Sequence, residues 1–194
     1  MKKLTKKKLD ELTKTMPVVD EMEQRNFIGG TFYFDYSGKF LGQIGSGNDV
    51  LIGTSIIDSN AIFLSSASEE TMGKVLTTIG RTMGISGDVA IAHGDERFCG
   101  GHESGQIYVN YDANFKKYNN YYDFLAVLHH EHYHQMMWQY GYDFSNDQNE
   151  YQALIYEMNQ VGFQNTSEFY KSGTLNAYNS YGSGYYGSSG NSGS

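Results

Sequence analysis

The sequence predicts an α+β fold in which short strands dominate the first half of the domain and helices dominate the second half. From residue 31 to residue 110, runs of β-branched and aromatic residues alternate with turn residues, which is the pattern of short strands. From residue 119 to residue 161, apolar side chains recur at the spacing of two amphipathic helices. A chain of 194 residues has room for one such domain with appendages at its ends.

Six strands and one helix are predicted in the first half. A turn at residues 36–38 joins the first two strands, so these form a hairpin. The helix begins at a capping box made by Ser66 and Glu69 and ends at Gly84. The strands are expected at residues 31–35, 39–44, 49–52, 61–64, 88–92 and 106–110.

Two helices are predicted in the second half. The first is capped by Asn119 or Asn120 and ends at Gly141. The second runs from about Glu150 to Val161, with apolar residues on one face.

The end of the chain differs in composition from this domain, which is predicted to span residues 31–170. Residues 171–194 contain six Gly, seven Ser, four Tyr and three Asn, and they show no apolar period. A segment of this composition buries too little apolar surface to offset the entropy of ordering it. The sequence therefore predicts a disordered tail.

Residues 1–30 begin with a basic stretch, continue with an acidic one and end in two glycines. This segment resembles a double-glycine leader, which peptidase-containing ABC exporters cut after the second glycine, although Gln24 departs from that pattern. Two glycines suit a peptidase whose subsites are too narrow for side chains. The resemblance implies such an exporter as a partner and secretion of the chain from Thr31. A basic arm before an ordinary turn, in a cytoplasmic protein, is the alternative. The resemblance rests on Val19, Glu23, Phe27, Gly29 and Gly30.

The charge of the chain argues against a nucleic-acid partner. The net charge is −8, but seven of the 14 basic and five of the 22 acidic residues lie in residues 1–30. Residues 31–194 therefore hold 7 basic and 17 acidic residues, a net charge of −10 without a basic stripe. The single cysteine excludes an internal disulfide. The sequence contains no run of 18 apolar residues, so no membrane span is predicted.

Four of the six histidines lie within six consecutive positions, where His130 and His134 form an H-E-x-x-H motif with Glu131. On a helix, residues four apart share one face, with Cβ atoms about 5–6 Å apart, which suits two imidazoles on one tetrahedral Zn²⁺. Glu131 projects beside the metal, where the general base for a reacting water belongs. His129 and His132 point elsewhere, and His132 is expected to be solvated.

Over about residues 106–161 the chain resembles the zincin metallopeptidases. The resemblance implies a zinc-dependent peptidase acting on a peptide or protein, with an edge strand over the motif helix that binds extended substrate. Residues 106–110 stand where that strand would be. In the gluzincin branch a Glu from a following helix completes the zinc shell, and Glu150, 16 residues after His134, fits that role. Glu157 is the fallback, and the third His of metzincins is absent.

Two alternatives stay open. Peptide deformylase also uses H-E-x-x-H, with an upstream Cys ligand, and Cys99 lies 31 residues before His130. Its glycine-rich neighbourhood also carries His102, a further candidate ligand, but the glycine-rich Gln motif of deformylases is missing. The second alternative is a secreted, non-enzymatic metal-binding protein, which has no use for a carboxylate at the position of Glu131.

Overall fold

The computed structural model describes five stretches of the chain and confirms the predicted α+β class. Within these stretches the protein forms two small sheets, of four and three strands, and five α-helices. The leader prediction falls on residues 1–29 and Gly30, and of these only Gly30 lies in the described part. The described stretches are residues 30–95, 99–103, 105–115, 119–142 and 147–187.

The first sheet consists of four strands in the order β2-β1-β3-β4. The strands are β1 (Thr31–Phe34), β2 (Phe40–Ile44), β3 (Val50–Ile52) and β4 (Ile62–Phe63). β1 and β2 form the predicted hairpin, β3 runs parallel to β1, and β4 runs antiparallel to β3. All four therefore lie where the sequence predicts strands, shorter by one or two residues at their ends.

One face of the first sheet lies on the core. Phe32 and Phe34 of β1 and Val50 and Ile52 of β3 are buried, as the two-residue period of neighbouring strands requires. Gly30, immediately before β1, is also buried and donates its N–H to the carbonyl of Gly47.

Helix α1 (Glu69–Arg81) follows the first sheet. Its N-cap is Ser68, whose hydroxyl accepts a hydrogen bond from the N–H of Thr71 at 3.3 Å. The predicted cap, Ser66, instead lies in a 3₁₀ turn, so the predicted start was wrong by two residues. Both serines precede the helix closely, and only the backbone of the preceding turn decides which one reaches the free N–H groups.

The second sheet has the order β5-β7-β6, with β5 (Val89–Ala92), β6 (Gly100–Glu103) and β7 (Gln106–Asn110). β7 runs parallel to β5 and antiparallel to β6. The strand predicted at residues 106–110 is therefore confirmed, but its expected place at the edge of the sheet was wrong, because β7 lies in the centre and β6 lies at the edge. β6 escaped prediction because two of its four residues are glycines, which carry no strand signal.

The remaining helices are α2 (Tyr111–Asn114), α3 (Tyr121–Gln139), α4 (Asp147–Met158) and α5 (Glu168–Gly187). Asn120 caps α3, as predicted, by accepting a hydrogen bond from the N–H of Tyr122 at 2.8 Å. Gly141 follows the end of α3 with φ +75°, a conformation that favours glycine. None of the helices in the described part is long and apolar enough to cross a membrane.

Helix α3 is the centre of the molecule. Phe124, Val127 and Leu128 are buried, and the ring of Tyr121 stacks on Phe32 of the first sheet with centroids 3.8 Å apart. Farther along α3, Gln135 donates hydrogen bonds to the carbonyls of Ser86 and Gly105 beside the second sheet. The helix is thus fixed against both sheets, which gives its motif residues a rigid support.

The predicted disorder of residues 171–194 is wrong for residues 171–187, which belong to α5. Tyr170 and Thr174 are buried, and Tyr178 stacks on Tyr151 of α4 with centroids 4.8 Å apart. Gly182 lies against the same Tyr151 ring. These positions are four apart and form a helical stripe, which apolar counting misses because Thr and Gly are among its members. Residues 188–194 lie outside the described part.

Candidate metal centre

His130 and His134 lie one turn apart on the same face of α3, and their Nε2 atoms are 3.2 Å apart. Both side chains are largely buried, with exposed fractions of 15% and 11%. At this distance one nitrogen can donate a hydrogen bond to the other when it carries a proton. When neither carries a proton, both can direct a lone pair at one cation.

Glu150, in the first turn of α4, brings its carboxylate to both histidines. Its Oε2 lies 3.2 Å from Nε2 of His130, and its Oε1 lies 3.4 Å from Nε2 of His134. The three side chains offer donor atoms within 4.8 Å of one another. The group contains the two motif histidines and the acid that the sequence singles out from the following helix.

The spacing of these donors fits a zinc ion. Zinc binds imidazole nitrogen at about 2.0–2.1 Å and carboxylate oxygen at about 2.0–2.2 Å, so two ligands of a tetrahedral site are about 3.3–3.4 Å apart. The two Nε2 atoms are 3.2 Å apart, and Glu150 approaches them with different oxygens, Oε2 at 3.2 Å from His130 and Oε1 at 3.4 Å from His134. Two neutral imidazoles and one carboxylate also form a donor set of the hydrolytic zinc type, which leaves a fourth position open.

Glu157, two turns beyond Glu150 on α4, is not a member of this donor group. Its Oε2 lies 3.2 Å from Nδ1 of His130, and its Oε1 accepts a hydrogen bond from the hydroxyl of Thr174 at 3.2 Å. A carboxylate on Nδ1 holds the proton there and leaves Nε2 free as a ligand. The sequence identified Glu157 only as a substitute ligand, and nothing in its spacing distinguishes the two roles.

Glu131 lies outside the donor group and is almost fully buried, with an exposed fraction of 5%. Its carboxylate lies against Gly100 of β6, where a Cβ would come within 2.7 Å of Oε1. Burial raises the pKa of Glu131, while the neighbouring His130 and His134 lower it. The carboxylate thus lies between the motif helix and the edge strand, in a space that only glycine leaves open.

The pKa values of the donor group reflect close pairing between opposite charges. Burial lowers the pKa of His130, but hydrogen bonds to Glu150 and Glu157 outweigh it and raise this pKa to about 10. Burial raises the pKa of Glu150, but hydrogen bonds to His130 and His134 outweigh it and hold the pKa well below its usual range. Protons and a metal therefore compete for the same nitrogens.

The other candidate ligands lie outside the donor group. Cys99, the ligand that the deformylase-like alternative requires, directly precedes β6. It lies near Tyr170, whose pKa is raised by burial and, to a smaller extent, by the charge of Cys99. His102 faces the motif helix from β6, and its Nε2 accepts a hydrogen bond from the N–H of Gly105 at 3.1 Å. Neither side chain joins His130 and His134 among the described residues.

The remaining two histidines of the motif segment lie outside the donor group. His132 is buried rather than solvated, with 8% of its surface exposed, so that expectation was wrong. Its pKa is lowered by burial. His129 packs edge-on against Tyr156 at 6.1 Å, and burial lowers its pKa to about 3. Both imidazoles are packed between α3 and its neighbours, because α3 is buried on most of its faces.

The chain was compared with protein-family models, with curated proteins and with solved structures, and none of the three comparisons gave a match. The functional assignment therefore depends on the geometry of the side chains.

Proposed function

We propose that this protein is a zinc-dependent metallopeptidase. The observation that supports this most strongly is the division of roles among acids around one imidazole pair. Glu150 contacts both Nε2 atoms, Glu157 contacts Nδ1 of His130, and Glu131 lies against β6 outside the donor group. A site that only stores metal has no use for the third carboxylate.

The chemistry is divided between the metal and Glu131. His130, His134 and Glu150 would hold the zinc ion, which would lower the pKa of a bound water to about 7 and polarise a carbonyl. Glu131 accepts the proton from the attacking water and passes it to the leaving amine. Glu157 keeps the Nδ1 proton of His130 in place and so fixes the ring orientation and tautomer.

The edge strand β6 supplies a surface for an extended peptide. Among the residues that the structure describes it pairs only with β7, so its other edge offers backbone N–H and C=O groups for strand addition. Gly101 has open space around its α-carbon, since a Cβ added there would have nothing within 4 Å. A peptide paired with β6 lies alongside Gly100 and hence close to Glu131.

Substitution of Glu131 by Gln tests the proposal. Gln keeps the size of the side chain but accepts no proton at neutral pH, so turnover of casein or a quenched peptide should fall by about 10²–10⁴. Zinc content should stay near wild type, because Glu131 is outside the donor group.

Two outcomes would contradict this proposal. Loss of zinc from Glu131→Gln would make this residue a ligand. A wild-type protein that binds zinc but cleaves no peptide, and that Glu131→Gln matches in every property, would favour the non-enzymatic metal-binding alternative.

A further inference from the structure

The face of α3 that carries the two metal ligands continues to Trp138. His130, His134 and Trp138 are spaced four residues apart, so their side chains follow one another along one face of the helix. Trp138 is the only tryptophan of the chain, and it is 50% exposed. A large aromatic side chain is thus kept in contact with solvent one turn beyond the metal centre.

The second sheet holds this indole in place from one side. The imidazole of His102 on β6 lies 5.7 Å from the Trp138 ring, tilted by 58°. Gly105 lies against the ring edge, so closely that a Cβ added there would be only 3.1 Å from Cζ3. The N–H of Gly105 in turn bonds Nε2 of His102 and so fixes the imidazole. One side of the indole is packed, and its exposed half can contact a ligand.

The elements that surround this surface are strongly acidic. β6, β7, α3 and α4 together contain six acidic residues and no Lys or Arg. A zinc ion would neutralise only two of these charges, so the site keeps a negative potential. Five of the acids are Glu103, Glu131, Asp147, Glu150 and Glu157, and the sixth, Asp123, lies at the far end of α3 from Trp138 and adds little to the potential there.

We propose that Trp138, supported by His102, forms a subsite for a Lys or Arg side chain of a peptide bound along β6. This inference rests on the proposed peptidase function and names its substrate class, which is basic peptides. The face of an indole attracts a cation through its quadrupole, and Trp is the best of the aromatic side chains for this contact. The acidic surroundings add longer-range attraction for the same charge.

The single tryptophan allows a direct binding experiment. Zinc-loaded Glu131→Gln protein is titrated with three uncleaved peptides that differ at one position only, which holds Arg, norleucine or Phe. Trp138 fluorescence should change on binding, and the Arg peptide should bind about 2- to 5-fold more tightly than the norleucine peptide, the range of an exposed cation–π contact. This preference should shrink in high salt, which screens the acidic surroundings.

A matched pair of variants assigns the preference to the indole. In the Glu131→Gln background, Trp138→Leu should abolish the preference for Arg, measured by the anisotropy of dye-labelled peptides. Tyr140→Leu, which removes another exposed aromatic side chain two residues away, should leave the preference unchanged. Zinc content of both variants should match the parent, which shows that the site is intact.

The outcomes separate this inference from the proposed function. Equal binding of the Arg and norleucine peptides, tighter binding of the Phe peptide, or no fluorescence change with any peptide overturns the cationic subsite. Wild-type cleavage of peptides without an Arg or Lys preference overturns it too, while the peptidase proposal stands. Arg-dependent binding without cleavage by wild-type protein overturns the peptidase proposal and leaves the subsite.

Discussion

At the scale of single residues, the environment of Glu131 depends on the absence of a side chain on β6. The carboxylate of Glu131 occupies the space that a side chain at position 100 would need, which is free because this residue is a glycine. A general base must be held close to one position, because small displacements of catalytic groups cost large factors in rate. Gly100 is therefore as much a requirement of the proposed chemistry as Glu131.

Substitution of Gly100 by Ala should impair catalysis without removing the metal. The added Cβ would lie 2.7 Å from Oε1 of Glu131 and 2.9 Å from the carbonyl oxygen of Tyr108, so the carboxylate has to move. We expect peptidase activity to fall by at least about 10-fold, as part of the general-base contribution is lost. Zinc content, measured by mass spectrometry of the metal, should be unchanged.

Gly101→Ala is the matched control, because nothing lies within 4 Å of a Cβ at that neighbouring position. Equal activities of the two variants would show that Glu131 does not need this space.

At the scale of elements, α5 is held to the motif helix by a buried carboxylate. Asp123 of α3 accepts hydrogen bonds from the N–H and the hydroxyl of Ser167, both at 2.7 Å. Ser167 directly precedes α5, and α5 in turn delivers Thr174 to Glu157. The first turn of α3 is thereby linked to the carboxylate that orients His130.

Replacement of Asp123 by Ala should destabilise the protein by about 1.5–3 kcal/mol, the usual cost of losing hydrogen bonds to a charged group. The midpoint of thermal unfolding should fall by roughly 5–10 °C for a domain of this size. Asp123→Asn should cost less, because an amide oxygen still accepts one of the two bonds.

Asp88→Ala serves as control, since this exposed carboxylate pairs with the exposed Arg81 at 3.1 Å and should contribute little. Thermal unfolding followed by circular dichroism gives all three values. A midpoint for Asp123→Ala equal to that of Asp88→Ala would contradict the structural role of Asp123.

Sequence patterns located most of these elements, and their failures have a common physical cause. Local sequence rules were sufficient to predict the strands rich in Phe, Val and Ile, such as β1 and β3. The same holds for α3 with its Asn cap. β6 and α5 are stabilised by partners that are distant along the chain, namely β7 and the Tyr151 ring of α4. Glycines and tyrosines are compatible with strand, helix or disorder, and only packing decides among these.

The candidate site shows the same division. Helical periodicity brought His130 and His134 together, and the position of Glu150 at the start of the next helix followed from a resemblance. The contact of Glu157 with Nδ1 of His130, and that of Gly100 with Glu131, depend on how α4 and β6 pack against α3. Such contacts join elements that are distant along the chain, so no regular residue spacing in the sequence indicates them.

At the scale of the whole molecule, the donor group lies between α3 and α4, so a metal bound there would stabilise the fold. A ligand that binds only the folded state stabilises it by an amount that grows with its concentration relative to the dissociation constant, about 2.7 kcal/mol at a 100-fold excess. His130 and His134 belong to α3 and Glu150 to α4, so an ion bound there would hold the two helices together.

Removal of zinc by a chelator should therefore lower the midpoint of thermal unfolding, and re-addition of zinc should restore it. His134→Ala should start from a lower midpoint and show no response to either treatment. His93→Ala should respond like wild type, because His93 is an exposed side chain that contacts Glu69 and Asp112 instead. Differential scanning fluorimetry checks all three, and a zinc response in His134→Ala would contradict the assigned donor group.

The burial of Gly30 has a consequence for the order of events in the life of the protein. Its N–H is bonded to the carbonyl of Gly47, and β1 begins at the next residue with partners on both sides. If the double-glycine leader proposal holds, the bond between Gly30 and Thr31 is closed to a peptidase once this sheet has formed. On that proposal, cleavage would precede formation of this sheet, so the donor group would assemble only in the exported chain.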